Sequence, residues 1–146
     1  QLAASCDLAV ASHEASFATP GVHIGLFCST PMVALSRKVA PKHAMEMLLT
    51  GDPCPADRAA EIGLVNYAVP ADQLTDTVME MARKIAAKST ATVGFGKPAF
   101  YRQLERPLVE AYEFAAEVMV SNMLARDAEE GISAFIEKRH PNWTDS

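Results

Sequence analysis

Cys6-Asp7-Leu8-Ala9-Val10-Ala11-Ser12, followed across the polar turn His13-Glu14 by Ala15-Ser16-Phe17-Ala18-Thr19-Pro20, is the stretch on which the fold turns. Asp7–Ala11 is a short, nearly continuous apolar run and predicts a buried strand; Ala15–Ala18 predicts another. Pro20-Gly21 breaks the pattern, and Val22–Leu26 reads as strand or irregular loop. Downstream the periodicity becomes helical. Thr30-Pro31 predicts a helix entry, because proline is preorganised for the first turn and needs no donor there. That helix is expected to reach about Val39, stop near Pro41, and resume through Ala44–Leu49 until Gly51. Pro55 with Asp57 predicts a short helix closing at Gly63, and Leu64–Val69 a strand.

Beyond Pro70 three helices are expected. Leu74, Val78, Met81 and Ile85 form one apolar stripe; Leu108, Ala111, Ala115, Met119 and Asn122 form a second. The third opens on Asp127-Ala128-Glu129-Glu130. This reads as a capping box in which Asp127 accepts from the Glu130 amide and Glu130 reaches back, with Ile132, Phe135 and Ile136 as the apolar face. Strands first and helices last make an α/β chain. The chain opens at Gln1, inside an apolar segment, and reads as the second part of a larger domain. By itself it is expected to aggregate or fold only partly, because its first strands would lack apolar partners, and to catalyse nothing.

Composition narrows the classes. The chain has 146 residues, 49% of them hydrophobic and 21% charged, the balance of a globular protein. A formal net charge of −5 leaves no basic footprint for nucleic acid. No apolar run is long enough to span a bilayer. Cys6, Cys28 and Cys54 are odd in number and far apart, without zinc-ligand or disulfide-framework spacing, so no metal is expected.

Three stretches, taken in order, resemble the crotonase (enoyl-CoA hydratase/isomerase) superfamily. They are Cys6–Ser12 with Ala15–Pro20; Leu48-Leu49-Thr50-Gly51-Asp52-Pro53 with Ala56, Ala59-Ala60 and Gly63-Leu64-Val65; and Asp127–Arg139. The segment Gly25-Leu26-Phe27-Cys28-Ser29-Thr30-Pro31 points towards its mitochondrial subgroup of hydratase domain-containing proteins. The resemblance implies a crotonase-like spiral of ββα turns, of which residues 1–70 are the C-terminal part. Residues 71–146 are then a helical region for trimer formation and for covering an acyl-CoA site. It implies a coenzyme A thioester as ligand, no covalently bound cofactor, a homotrimer or dimer of trimers, and an oxyanion hole of two backbone N–H groups, whose donors lie outside this chain.

It also implies two glutamates around one water, and here the chain departs from the pattern. Gln1 stands at the first of these positions and Gly21 at the second. An amide orients water but is not basic, and glycine offers no side chain. Each positioned acid–base group is worth roughly 10²–10⁴-fold, so water addition should be largely lost. A slipped alignment would bring in Glu14, which reads as a solvated turn residue. Asp7 reads as a buried structural cap.

His23 is a candidate substitute base, since histidine is the residue type suited to proton transfer at neutral pH. His13, His43 and His140 read as surface residues. Cys28 and Ser29 precede a helix start and read as pocket lining rather than nucleophiles. By resemblance, Phe135 and Lys138 match positions near the adenine and phosphates of coenzyme A; from their own helix they read equally as a core anchor and a solvated charge. Lys97 and Tyr101 match a family helix start without an assigned ligand role. The leading expectation is a mitochondrial acyl-CoA-binding protein of fatty-acid metabolism with weak or no hydratase activity. Alternatives are a non-catalytic oligomer subunit, a different reaction on the same scaffold (isomerase, decarboxylase or thioester hydrolase), or a truncated product of an active parent.

Overall fold

The computed structural model describes residues 1–146. It divides into two compact units, Gln1–Glu80 and Met81–Ser146.

The first unit begins with a helix where the sequence suggested only an apolar segment: α1, Leu2–Ser5, is short and precedes β1, Val10–Ser12. The strand therefore starts later than the apolar run at Asp7–Ala11 implied. Asp7 is exposed rather than a buried cap, and Leu8 is 45% exposed. β2 is Ser16–Phe17, and Pro20–Ile24, open between strand and loop in sequence, is a 3₁₀ helix. Then come α2 (Ser29–Leu35) and α3 (Pro41–Thr50). Pro41 opens α3 at its first turn rather than ending what precedes it, which suits a residue without an N–H to satisfy. Gly51 closes the helix at φ 69°, in the left-handed region, its N–H donating to Met47 O.

After β3 (Cys54–Pro55), α4 (Ala56–Glu61) and β4 (Tyr67–Val69) complete the layer. β4 is shorter than the expected Leu64–Val69 because Asn66 is used otherwise. Its side chain accepts from Ala9 N at 2.8 Å while its own N–H donates to Ala9 O at 2.7 Å. This pair of bonds fixes the parallel register of β1 on β4, Val10 opposite Tyr67 and Ser12 opposite Val69. β2 pairs antiparallel with β3, Phe17 opposite Cys54. The strands are few and short, but they hold the helices in place.

The buried core of this unit joins all of them. Ala4, Ala11, Leu35, Met47, Leu48, Ala56, Ala59 and Val65 are all below 7% exposure, with Ala56 and Ala59 at 0%. Alanine at the last two positions lets α4 approach β2 and β3 closely, and Leu48 at 1% is the largest apolar side chain sealed inside. Replacing it by alanine would cost about 2–5 kcal/mol.

Helix α5 (Leu74–Ala86) leads out of the first unit. The second unit holds three helices, α6 (Thr90–Leu104), α7 (Leu108–Met123) and α8 (Arg126–Glu137). With α5 there are four helices beyond Pro70, not three. The missed one is α6, whose Gly94, Gly96 and Pro98 weaken helix propensity. Ser89 caps it by accepting from Thr92 N at 3.1 Å, and Asp145 Oδ1 accepts from Thr90 N at 2.7 Å. Apolar side chains on these helices are largely uncovered: Leu108 is 74% exposed, Val109 70%, Tyr112 73% and Phe135 85%.

The capping box is not formed. Helix α8 starts at Arg126, with Ala125 at the cap position, so Asp127 lies inside the first turn. Asp127 is 1% exposed and receives Thr144 N at 2.8 Å, Thr144 Oγ1 at 3.0 Å and Asp145 N at 3.1 Å. Glu130 binds the Arg139 guanidinium through both oxygens and also accepts from Asn142 N. The two acids hold the C-terminal tail. The face of α8 turned inward carries Asp127 and Ala134, while the expected Ile132, Phe135 and Ile136 face is exposed.

Candidate functional site

Gln1 sits at the N-terminal edge of α1, where its carbonyl accepts both the amide and the hydroxyl of Ser5 at 3.0 Å. Gln1 lines a cavity of about 60 Å³ with Phe17, Thr19, Pro31, Leu35 and Met47. That is room for water, which needs about 10–15 Å³. Thr19 is buried, and its hydroxyl donates to Met47 O at 2.8 Å, so it is already committed to holding β2's exit against α3. Gln1 is the other lining residue with a polar side chain.

Gly21 lies two residues beyond Thr19, in the first turn of the 3₁₀ segment. Its N–H donates to Cys28 Sγ at 3.3 Å and its carbonyl accepts from Leu26 N at 2.9 Å. A Cβ placed on Gly21 would stand 2.7 Å from Leu26 O and 2.8 Å from Cys28 Sγ. Both distances are far inside van der Waals contact. Position 21 thus lacks the space for a side chain as well as the side chain itself, which no composition or spacing argument reveals.

His23 is exposed, and its ring edge lies over the end of α3: Nε2 is 2.8 Å from where a Cβ of Gly51 would be. Glycine is favoured at position 51 by its left-handed φ of 69°. Ser29 is exposed and donates through its hydroxyl and its amide to Phe27 O. Cys28 is half-buried, facing Gly21. Neither Gly21 nor His23 lines the Gln1 cavity.

Phe135 and Lys138 belong to the second unit. Phe135, at 85% exposure, is not the core anchor that one reading of its helix suggested. Lys138 ends α8 in the left-handed conformation, φ 54°, ψ 40°, and is exposed. The helix C-terminus carries negative partial charge that a lysine offsets. Arg139, next in sequence, is committed to Glu130 and Glu137, which raise its pKa further.

A second cavity of about 150 Å³ is lined by His43, Glu46, Asp52, Cys54 and Arg58, among others. Burial pushes the Cys54 thiol pKa up, partly countered by the Arg58 charge. His43, read as a surface residue, is half-buried here, its Nδ1 3.4 Å from Arg58 Nη2. His13 bonds Asp57 at 2.7 Å on the exposed side of α4. No cluster of three or more His, Cys, Asp or Glu residues could hold a metal ion, and no helix is long and apolar enough to cross a membrane.

A short-stranded α/β layer followed by helices, with the Gly51 and Gly63 turns in place, is the arrangement of a crotonase-fold protein. The sequence matches the enoyl-CoA hydratase/isomerase family over residues 1–146, and the chain belongs to that family. It is 52% identical over 144 residues to enoyl-CoA hydratase domain-containing protein 3, mitochondrial, of Rattus norvegicus, covering 99% of this chain and 48% of the relative. The Homo sapiens protein of that name gives the same 52%. The crystal structure of human enoyl-coenzyme A hydratase domain-containing protein 3 superposes with a TM-score of 0.94 at 52% identity, covering 97% of this chain and 56% of that one. An enoyl-CoA hydratase from Mycobacterium smegmatis superposes with a TM-score of 0.95 at 51% identity, covering 97% and 55%. The chain spans about half the length of the curated relatives it matches.

Proposed function

We propose that these residues form the C-terminal part of a mitochondrial acyl-CoA-binding protein of fatty-acid metabolism that adds water to enoyl thioesters weakly or not at all. The observation that carries the reading is Gly21, where Leu26 O and Cys28 Sγ leave no room for a side chain. Water addition needs one group to take a proton from water as its oxygen bonds the β-carbon, and a proton delivered to the α-carbon. With an amide at position 1 and no side chain at position 21, neither transfer has an ionisable partner. Binding does not depend on those groups. The oxyanion hole, supplied by backbone outside residues 1–146, would still hold the thioester oxygen. Phe135, exposed in the last turn of α8, and Lys138, exposed at its C-cap, are suited to cover adenine and to pair with a phosphate.

The mitochondrial assignment rests on the relatives at about 52% identity, which are named as mitochondrial proteins. A homotrimer, or a dimer of trimers, is proposed because Leu108, Val109 and Tyr112 on α7 are at least 70% exposed, more apolar surface than a solitary helix face leaves to water. The same exposure favours a second reading, a non-catalytic subunit whose role is assembly. Calorimetric titration of the full-length chain carrying these residues with an acyl-CoA separates the two. Binding without turnover of crotonyl-CoA supports the first, and absence of binding supports the second.

A further inference from the structure

The segment from Gly21 to Cys28 closes on itself through two hydrogen bonds. The Leu26 amide donates to Gly21 O at 2.9 Å, and the Gly21 amide donates to Cys28 Sγ at 3.3 Å. Gly25 makes the reversal at φ 77°. The consequence is steric: the thiol and the Leu26 carbonyl stand 2.8 and 2.7 Å from the Gly21 Cβ position. The carbonyl is backbone and moves only if the loop opens. The thiol is the side-chain tie of that loop, since it accepts the Gly21 amide, and Cys28 packs against the buried core.

We propose that Cys28 is a positioning residue that keeps the 21–28 loop shut over position 21. In that case a carboxylate introduced at 21 cannot act in the site while the thiol is present. This rests on the reading that position 21 is where the family's second acid stands. It goes further by making the deficit a property of loop closure rather than of one missing side chain. The site then favours thioester chemistry that needs no second acid.

The test uses the full-length chain carrying these residues in a Gln1→Glu background, comparing Gly21→Glu, Cys28→Ala, Cys28→Ser and the combinations. Melting and the kcat for crotonyl-CoA hydration are measured on each. Gly21→Glu with Cys28 intact is expected to lower the Tm and leave kcat within about threefold of the background. Adding Cys28→Ala should recover at least half of the lost Tm and raise kcat by at least about tenfold. Cys28→Ser should keep the block, because its hydroxyl can accept the same amide. Equal Tm and equal kcat for Gly21→Glu with and without Cys28 would overturn the proposal, as would a recovered Tm with no gain in kcat. Fast hydration by the unmodified chain would instead count against the proposed function, while the Gly21–Cys28 coupling would still be read from melting.

Discussion

Thr19 and Met47 are joined by a buried hydrogen bond, the hydroxyl donating to the carbonyl at 2.8 Å, and this bond sets β2's exit against α3 beside the Gln1 cavity. Met47 O also accepts Gly51 N at 3.0 Å, so it keeps one partner if the hydroxyl is removed. Thr19→Val, which preserves shape, should therefore cost about 1 kcal/mol, the net worth of one such bond. Urea unfolding measures it; a cost above about 3 kcal/mol would mean that the hydroxyl supports more than this contact.

Gln1→Glu restores an ionisable group on the wall of a cavity with room for water. It should raise crotonyl-CoA hydration by less than about tenfold, because the proton for the α-carbon still has no donor at Gly21. Steady-state kcat on matched preparations is the check.

Phe135→Ala and Lys138→Ala remove groups that are exposed, so neither should shift the Tm by more than about 1 °C. Each should weaken acyl-CoA binding by roughly three- to tenfold, the lysine's share fading as salt is added. Titration at two ionic strengths tests both, and unchanged affinity removes these residues from the ligand site.

The C-terminal tail should loosen in acid. Hydrogen bonds from Arg139 lead the causes that hold the Glu130 carboxyl at about 2, below its ordinary 4.5, and hydrogen bonds led by Ser89 depress Asp127 as well. A depressed carboxylate contributes stability that is complete above its unfolded pKa and is lost as pH falls through the folded one. The window therefore runs from about 4.5 down to about 2. Trp143 reports it directly, since its indole N–H donates to Ala87 O at 3.0 Å and its ring packs on Gly131. Its fluorescence should be flat from pH 7 to 5 and change below. Glu130→Gln should move the change upward, because only Asp127 then resists.

Local chemistry made much of the fold legible. Gly51 and Gly63 end helices because the chain turns left-handed at both, and Pro55 marks a helix start, whereas Pro41, read as a stop, opens α3. What the sequence hid was non-local. Asp127 looked like a cap because Glu130 follows three residues on, yet its partners are Thr144 and Asp145 at the far end of the tail. Helix α6 was hidden by two glycines and a proline, which its cap and its packing on α7 outweigh. At the site, the identities at positions 1 and 21 were readable, but the closure of position 21 depends on where Leu26 and Cys28 fold back, and residue spacing does not show that. His23 was weighed as a base because it follows Gly21 by two residues; its ring lies instead over Gly51.

The most direct measurement is crotonyl-CoA hydration by the full-length chain carrying these residues, alongside calorimetric binding of a saturated acyl-CoA. Saturable binding is expected, with a kcat at least about 10²-fold below that of a hydratase bearing both carboxylates. Hydration at the rate of such an enzyme, with Gln1 and Gly21 unchanged, would contradict that expectation.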